Sequence, residues 1–169
     1  FRPDNIVKRS WTQFVIMEQK ETIISSTANP VIKWLRGLAL KKNREEDGVF
    51  IIEGARDVQA ALGLGWKLHT LVCTPDAKPL AGKKTIITPD LMQRVTGRDN
   101  AQDTLGVFYQ RFSDAAEIKN GLWLGLEEIR DPGNLGTILR TAHAAGARGV
   151  VLIGACCDPF SPGAVAASR

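Results

Sequence analysis

The sequence is poor in cysteine and histidine and has no long apolar run. Its 169 residues contain three cysteines and two histidines. No two cysteines form a CxxC pair, and His69 and His143 have no companions at metal-ligand spacing, so we expect neither a disulfide scaffold nor a metal site. Apolar runs are strand-sized, whereas a bilayer-spanning helix needs about 20 apolar residues. These absences predict a protein without a membrane span in a reducing, cytoplasmic setting.

The charge is distributed unevenly along the chain. Lysine and arginine outnumber aspartate and glutamate by 22 to 18, which gives a net charge of +4. Up to residue 112 there are 17 basic and 12 acidic residues, and after it there are 5 and 6. If the protein binds a polyanion, the first part of the chain is therefore expected to hold it.

Hydrophobic periodicity predicts a small α/β domain over residues 23–112. Residues 1–22 show no sustained periodicity and are predicted to form an N-terminal extension without an assigned function. The domain is predicted to contain a helix after Asn29-Pro30, a strand and a helix between residues 48 and 64, strands at 68–73 and 85–88, a helix at 90–95 and a strand at 104–109. The polar stretch 113–120 is predicted to be a linker.

A βαβ unit is predicted in residues 121–169. Strand patterns at 122–126 and 149–154 flank a helix from Leu135 to about Ala145, which indicates two parallel strands joined by a crossover. Ser161-Pro162 is typical of a further helix start. Only 57 residues follow residue 112, fewer than a parallel sheet covered on both faces requires. This second domain is therefore expected to be incomplete.

Basic residues in the first part are candidates for polyanion binding. The basic candidates fall on or beyond the exposed side of the first helix, or in the helix that follows the first strand: Lys33, Arg36, Lys41, Arg44 and Arg56. They indicate either a solvated helix face or an RNA-facing edge. Three of the four tryptophans lie on apolar patterns and are predicted to be core residues rather than base-stacking platforms: Trp34, Trp66 and Trp123. Trp11 is not assigned to either role.

The turn between the strand and the helix of the βαβ unit is the most informative segment. Asp131-Pro132-Gly133-Asn134 follows a strand and opens a helix, which exposes backbone N–H groups and the positive end of the helix dipole. Arg140 lies about 140° from Leu135 on a helical wheel, outside the apolar stripe. It is predicted either to approach a phosphate or another backbone, or to pair with a nearby carboxylate such as Asp131.

Three segments resemble one known family. The run DPGNLGTILRTA at residues 131–142 closely resembles the first signature motif of the SpoU/TrmH family, RNA ribose 2'-O-methyltransferases of the SPOUT superfamily. DPFSPGAVAASR at 158–169 resembles the opening of the second motif, and VFIIEGARDVQAALGL at 49–64 is similar to the family's N-terminal substrate-binding domain. The resemblance implies a small α/β substrate-binding domain followed by the first part of an α/β-knot domain with a parallel sheet.

The resemblance also implies an activity. Members transfer a methyl group from S-adenosylmethionine to a ribose 2'-hydroxyl of rRNA or tRNA, and they dimerise through the complete methyltransferase domain. Arg140 matches the motif arginine that helps to activate the hydroxyl; because arginine stays protonated, an orienting and electrostatic role is expected. Asn134 matches the motif asparagine and is expected to shape the loop beside the ribose. Most cofactor-binding residues are expected beyond Arg169, so activity is expected only with that part present.

Two other functions remain open on the sequence. Residues 23–112 could form a non-catalytic RNA-binding module. Alternatively, Gly133 and Gly136 in a strand-to-helix turn are compatible with a nucleotide-binding α/β protein, although the GxGxxG pattern is not matched. Continuation of the methylase motifs after residue 169 would favour the enzyme over both.

Overall fold

A computed structural model describes residues 22–78, 80 and 82–169, so residues 1–21 of the predicted extension lie outside the described residues. Helices in this part of the chain are α1 (Pro30–Gly37), α2 (Lys41–Asp47), α3 (Ala55–Gly63), α4 (Pro89–Thr96), α5 (Pro132–Ala144) and α6 (Pro162–Ala167). Strands are β1 (Ile23–Ile24), β2 (Val49–Glu53), β3 (Leu68–Cys73), β4 (Lys84–Ile87), β5 (Thr104–Tyr109), β6 (Trp123–Glu127) and β7 (Gly149–Ile153). A short 3-10 turn, Ala115–Glu117, lies in the predicted linker.

The first sheet has five strands in the order β1-β4-β3-β5-β2. β4 is parallel to β1 and β3, whereas β5 is antiparallel to both of its neighbours. Successive side chains of β5 point to opposite faces: Val107 belongs to the same apolar cluster as Leu35 of α1, and Phe108 to the same cluster as Val58 of α3. The sheet therefore separates two apolar layers, and the mixed α/β fold expected from the sequence is confirmed.

The second sheet is the predicted βαβ unit. β6 and β7 are parallel, with Trp123 opposite Gly149 and Glu127 opposite Ile153, and α5 connects them. α6 packs both on α5 and on β2 of the first sheet. The last helix therefore joins the βαβ unit to the five-stranded sheet.

A glycine allows α5 and α6 to approach closely. Gly136 is buried, and a Cβ placed there would clash with the carbonyl oxygen of Ala164 and lie 2.6 Å from Cβ of Ala167. Backbone and a neighbouring Cβ cannot swing aside as a flexible side chain can. The absence of a side chain at Gly136 is therefore what permits this helix contact.

We expect Gly136→Ala to lower the free energy of unfolding by about 1–3 kcal/mol, the usual effect of overpacking. Urea denaturation measures the change. Gly63→Ala is the matched control, because Gly63 ends α3 with open space around its Cβ position, and alanine there should be neutral or slightly stabilising. Equal stability of the two variants would contradict the close α5–α6 contact.

The structure differs from the sequence prediction at three elements. α5 begins at Pro132 rather than Leu135, because the carboxylate of Asp131 accepts a hydrogen bond from the N–H of Asn134 at 2.7 Å and makes the predicted turn the first helical turn. α2 was not predicted, since its sequence KKNREED carries no apolar stripe; Gly48 ends it at a φ of 64°. β1, two residues long, was also not predicted.

Candidate active site

The candidate site is a groove beside the carboxyl ends of β6 and β7. It has a volume of about 390 Å³, within the range of about 300–1,000 Å³ typical of small-ligand sites. Its lining comes from the loop after β6 and the first turns of α5: Glu128, Ile129, Arg130, Asp131, Asn134, Thr137 and Ile138. This is the edge at which ligands of parallel α/β sheets commonly bind.

The first turn of α5 is held by two short hydrogen bonds. Asp131 caps the helix through the N–H of Asn134, and the hydroxyl of Thr137 donates to the carbonyl of Gly133 at 2.9 Å. Pro132 occupies the first helical position, where its missing N–H costs nothing. The exposed Asn134 is thus carried into the groove lining on a well-defined turn.

Glu128 connects the loops that follow β6 and β7. Its backbone has a φ of 55°, unusual for a residue other than glycine. Its carboxylate accepts hydrogen bonds from the N–H of Ala155 at 2.7 Å and from the guanidinium of Arg130 at 2.9 Å. These two donors lower the pKa of Glu128. The stabilisation that these hydrogen bonds give to the folded state is present above the usual glutamate pKa. It is lost as the pH falls through the lowered pKa of Glu128.

Sequence reasoning missed Glu128. The only sequence signal is its position just after a predicted strand, which many surface glutamates share. A Cβ at Gly154, which has a φ of 69°, would clash with the Glu128 carboxylate. The loop contact therefore needs glycine there, a relation that becomes visible only when the two strands are paired.

Arg140 lies on the exposed side of α5, outside the groove lining. Its guanidinium donates to the backbone carbonyl of Arg169 at 3.2 Å. The alternative pairing with Asp131 is not what the structure records, because that carboxylate caps α5 instead. Of the two predicted catalytic residues, Asn134 therefore lines the groove and Arg140 follows six residues later, beside the end of α6.

Four of the five predicted RNA-binding cations are exposed. Lys33 and Arg36 lie on the outer side of α1. Lys41 is 3.5 Å from Glu45, and Arg56, which is 92% exposed, is 3.5 Å from Asp57. Exposed ion pairs of this kind contribute little to stability. These four cations therefore remain available to a polyanion.

The prediction that Arg44 contacts RNA from an exposed edge is wrong. Arg44 is 3% exposed, and its guanidinium donates to the carboxylate of Asp158 at 2.6 Å. It also donates to the carbonyls of Leu38 and Ala39 at 2.7 and 2.8 Å. A buried guanidinium needs such partners. Arg44 is thus a structural link between α2 and the segment before α6.

Residues 158–169 are fixed to the first sheet by further contacts. The ring of Phe160 lies 4.8 Å from that of Phe50 and 5.2 Å from that of Phe112. The guanidinium of Arg169 donates to the carboxylate of Asp57 at 2.7 Å and to the carbonyl of Glu53 at 3.0 Å. The segment therefore makes both apolar and charged contacts with the five-stranded part.

The cysteines and histidines show no sign of a reactive or metal centre among the described residues. Burial raises the pKa of Cys157, helped by the neighbouring Cys156 and by Asp131 and Asp158, so a thiol rather than a thiolate is favoured. His69 and His143 are exposed. Over residues 22–78, 80 and 82–169 no three potential metal ligands come together. No helix in that same part has the length and apolar character needed to cross a membrane.

Two protein families match successive parts of the chain. The MRM3-like substrate binding domain matches residues 29–106, and the SpoU rRNA Methylase family matches residues 121–169, which include the groove, Asn134 and Arg140. Residues 121–169 belong to the SpoU rRNA methylase family. The resemblance drawn from the three sequence segments is confirmed.

Relatives of the chain agree with this assignment to the SpoU family. An uncharacterised tRNA/rRNA methyltransferase of Synechocystis is 30% identical, with 82% of this chain and 55% of the relative covered. The 23S rRNA guanosine 2'-O-methyltransferase RlmP of Bacillus subtilis is 29% identical, with 82% and 57% covered. An AdoMet-bound rRNA methyltransferase structure from Sinorhizobium meliloti has a TM-score of 0.78 and 41% identity, with 87% and 60% covered. The chain thus spans somewhat over half the length of these relatives.

Proposed function

We propose that this protein takes part in transfer of a methyl group from S-adenosylmethionine to a ribose 2'-hydroxyl of rRNA or tRNA. The observation that carries the proposal is the position of Asn134, on a capped first helical turn in a groove at the carboxyl ends of two parallel strands. The residues around that groove lie in the segment matched by the SpoU family. The names of the Bacillus and Sinorhizobium relatives support the reaction and the methyl donor.

The groove suits a nucleoside. Its lining combines hydrogen-bonding side chains, such as Asn134 and Glu128, with the apolar Ile129 and Ile138, which fits the polar and apolar parts of a ribose and its base. S-adenosylmethionine supplies the methyl group when bound, and we place most of its binding residues beyond Arg169. Asn134 orients the loop beside the ribose. Arg140 stays protonated and acts by orienting and stabilising negative charge.

The decisive experiment uses the protein expressed from its complete reading frame. Incubation with labelled S-adenosylmethionine and rRNA or tRNA should give label at one ribose, where the methyl group makes the adjoining phosphodiester resistant to alkali. RNA binding without incorporation would instead support a non-catalytic RNA-binding module.

We further propose that the protein is a homodimer, cytoplasmic and metal-independent. Light scattering, fractionation and assay with a chelator test these points.

Neutralising the exposed cations should weaken the salt dependence of RNA binding. Removing one phosphate contact lowers the slope of log K against log salt by roughly 0.7 for single strands. We therefore expect the 169-residue chain with Lys33, Arg36, Lys41 and Arg56 all changed to glutamine to show a clearly shallower slope. In the matched control, Lys119 and Arg148 are changed to glutamine. Both are exposed and follow residue 112, so this variant should keep the original slope. An unchanged slope in the fourfold variant would show that these cations face solvent and do not contact RNA phosphates.

A further inference from the structure

Three aromatic rings lie in a row on one face of the five-stranded sheet. Trp34 of α1 is 5.1 Å from His69 of β3, and His69 is 5.3 Å from Tyr109 of β5, measured between ring centroids. The ammonium group of Lys67 lies 4.9 Å from the centre of the Tyr109 ring. We call Trp34, His69 and Tyr109 the ring cluster. The ammonium group of Lys67 places a positive charge next to the Tyr109 end of the ring cluster.

A β-bulge brings His69 into the ring cluster. Leu68 pairs with Phe108 and Thr70 pairs with Val107, so His69 is an extra residue in the ladder. In a regular strand, His69 and Thr70 would point to opposite faces of the sheet. Here both line one cavity. Bulges commonly re-aim side chains next to functional sites.

The cavity beside the ring cluster can accept a nucleobase. Its volume is about 430 Å³, and it is lined by Val31, Trp34, Asp47, His69, Thr70, Thr85 and Tyr109. This volume lies within the range of about 300–1,000 Å³ seen for small-ligand sites. The indole N–H of Trp34 donates to Asp47 at 2.7 Å, which holds the ring in place. The rings are thus preorganised around an open, partly polar space.

The other face of the sheet provides a contrast. There Phe108 is fully buried and Phe160 is 9% exposed, because α3 and α6 cover that face. In the ring cluster, by comparison, His69 is exposed, Tyr109 is 37% exposed and Trp34 is half-buried. Trp34 therefore packs against the edge of the core, in line with the sequence analysis, and it also lines the open cavity.

We propose that the ring cluster stacks an unpaired base of the RNA, with Lys67 attracting the adjoining phosphate. The proposal rests on the proposed function in taking RNA as the ligand. Aromatic faces combined with cations are the usual means by which proteins bind single strands, because every base has a π-face. Lys33 and Arg36 lie exposed on the helix that carries Trp34, and they extend the positive charge. The carboxylate of Asp47 accepts the hydrogen bond from the indole N–H of Trp34.

The ring cluster lies on the sheet face opposite to Phe160, and its cavity shares no lining residue with the groove of β6 and β7. A contact made there is present both before and during the reaction. It should therefore raise affinity for RNA without changing the rate of the chemical step. In the complete enzyme, loss of the ring cluster should raise KM and leave kcat unchanged.

The test uses the 169-residue chain and a short single-stranded RNA that contains one fluorescent adenine analogue. Stacking quenches its fluorescence, so we expect quenching on binding. Tyr109→Ala and His69→Ala should abolish the quenching and weaken binding roughly 5- to 150-fold, the range for one stacked base. Tyr109→Phe, which keeps the ring, should retain both signals. His143→Ala, an exposed histidine on α5, is the matched control and should change nothing.

An RNA with an abasic site in place of the analogue separates stacking from phosphate binding. Wild type should bind it about as weakly as Tyr109→Ala does. If the alanine variants bind the analogue-containing RNA like wild type, or if the chain binds no RNA, the inference is overturned. Methyl incorporation by the complete protein is measured separately. Quenching without incorporation would overturn the proposed function and leave base stacking standing.

Discussion

Changing Arg44 to alanine is expected to lower the free energy of unfolding of this chain by about 3–5 kcal/mol. The substitution removes the positive partner of Asp158, whose side chain is only 9% exposed and would keep its charge with the N–H of Phe160 as its remaining donor. It also removes the donors to the carbonyls of Leu38 and Ala39. Urea denaturation followed by circular dichroism measures the loss.

Two variants sharpen this prediction. Arg94→Ala breaks the exposed pair with Asp90 on α4 and should cost less than about 1 kcal/mol. Arg44→Met combined with Asp158→Leu replaces both charges by apolar groups, which removes the buried charge but also the acceptor of the Phe160 N–H. It should recover part of the stability, but only part, because the two carbonyls still lose their donor. If Arg44→Ala proves as mild as Arg94→Ala, the ion pair does not link α2 to the segment before α6.

The misassignment of Arg44 shows what a local sequence pattern can and cannot predict. Three basic residues in the run Lys41 to Arg44 indicate a positively charged surface, and three of the four residues are indeed outside the core. The partner of Arg44 is 114 residues away. No periodicity connects the two positions, so only the folded chain reveals that one cation of the run is buried.

The candidate site was predictable to the extent that it depends on short-range sequence. The strand-helix-strand order was accessible, because hydrophobic periodicity is local. Asn134 was identified through the family resemblance alone, and Asp131 was placed in a turn before α5 rather than at the helix cap that the structure shows. Glu128 and the bulge at His69 were not accessible. Each depends on how two strands pair, Glu128 through the loop after β7 and His69 through its register against β5. Strand register is set by tertiary contacts that a single sequence does not display.

In the protein expressed from its complete reading frame, Arg140→Ala is expected to lower the methylation rate by roughly 10²- to 10⁴-fold, the range for a positioned catalytic group. Affinity for S-adenosylmethionine should change little, because the role proposed for Arg140 concerns the ribose hydroxyl. Arg140→Lys should restore only part of the rate, since an ammonium group cannot reproduce the planar fork of a guanidinium. Single-turnover assays at saturating cofactor measure the chemical step.

The structure supplies a purely structural alternative for Arg140. Its hydrogen bond to the carbonyl of Arg169 ties α5 to the end of α6, and if that were its whole role, Arg140→Ala would lower the melting temperature and leave the rate per folded molecule unchanged. The exposed Arg148 provides the control, since Arg148→Ala should alter neither quantity strongly. Because Arg140 is exposed and its hydrogen bond to Arg169 is 3.2 Å long, we expect only a small change in melting temperature. A variant that melts early yet methylates at the normal rate per folded molecule would remove Arg140 from the catalytic machinery.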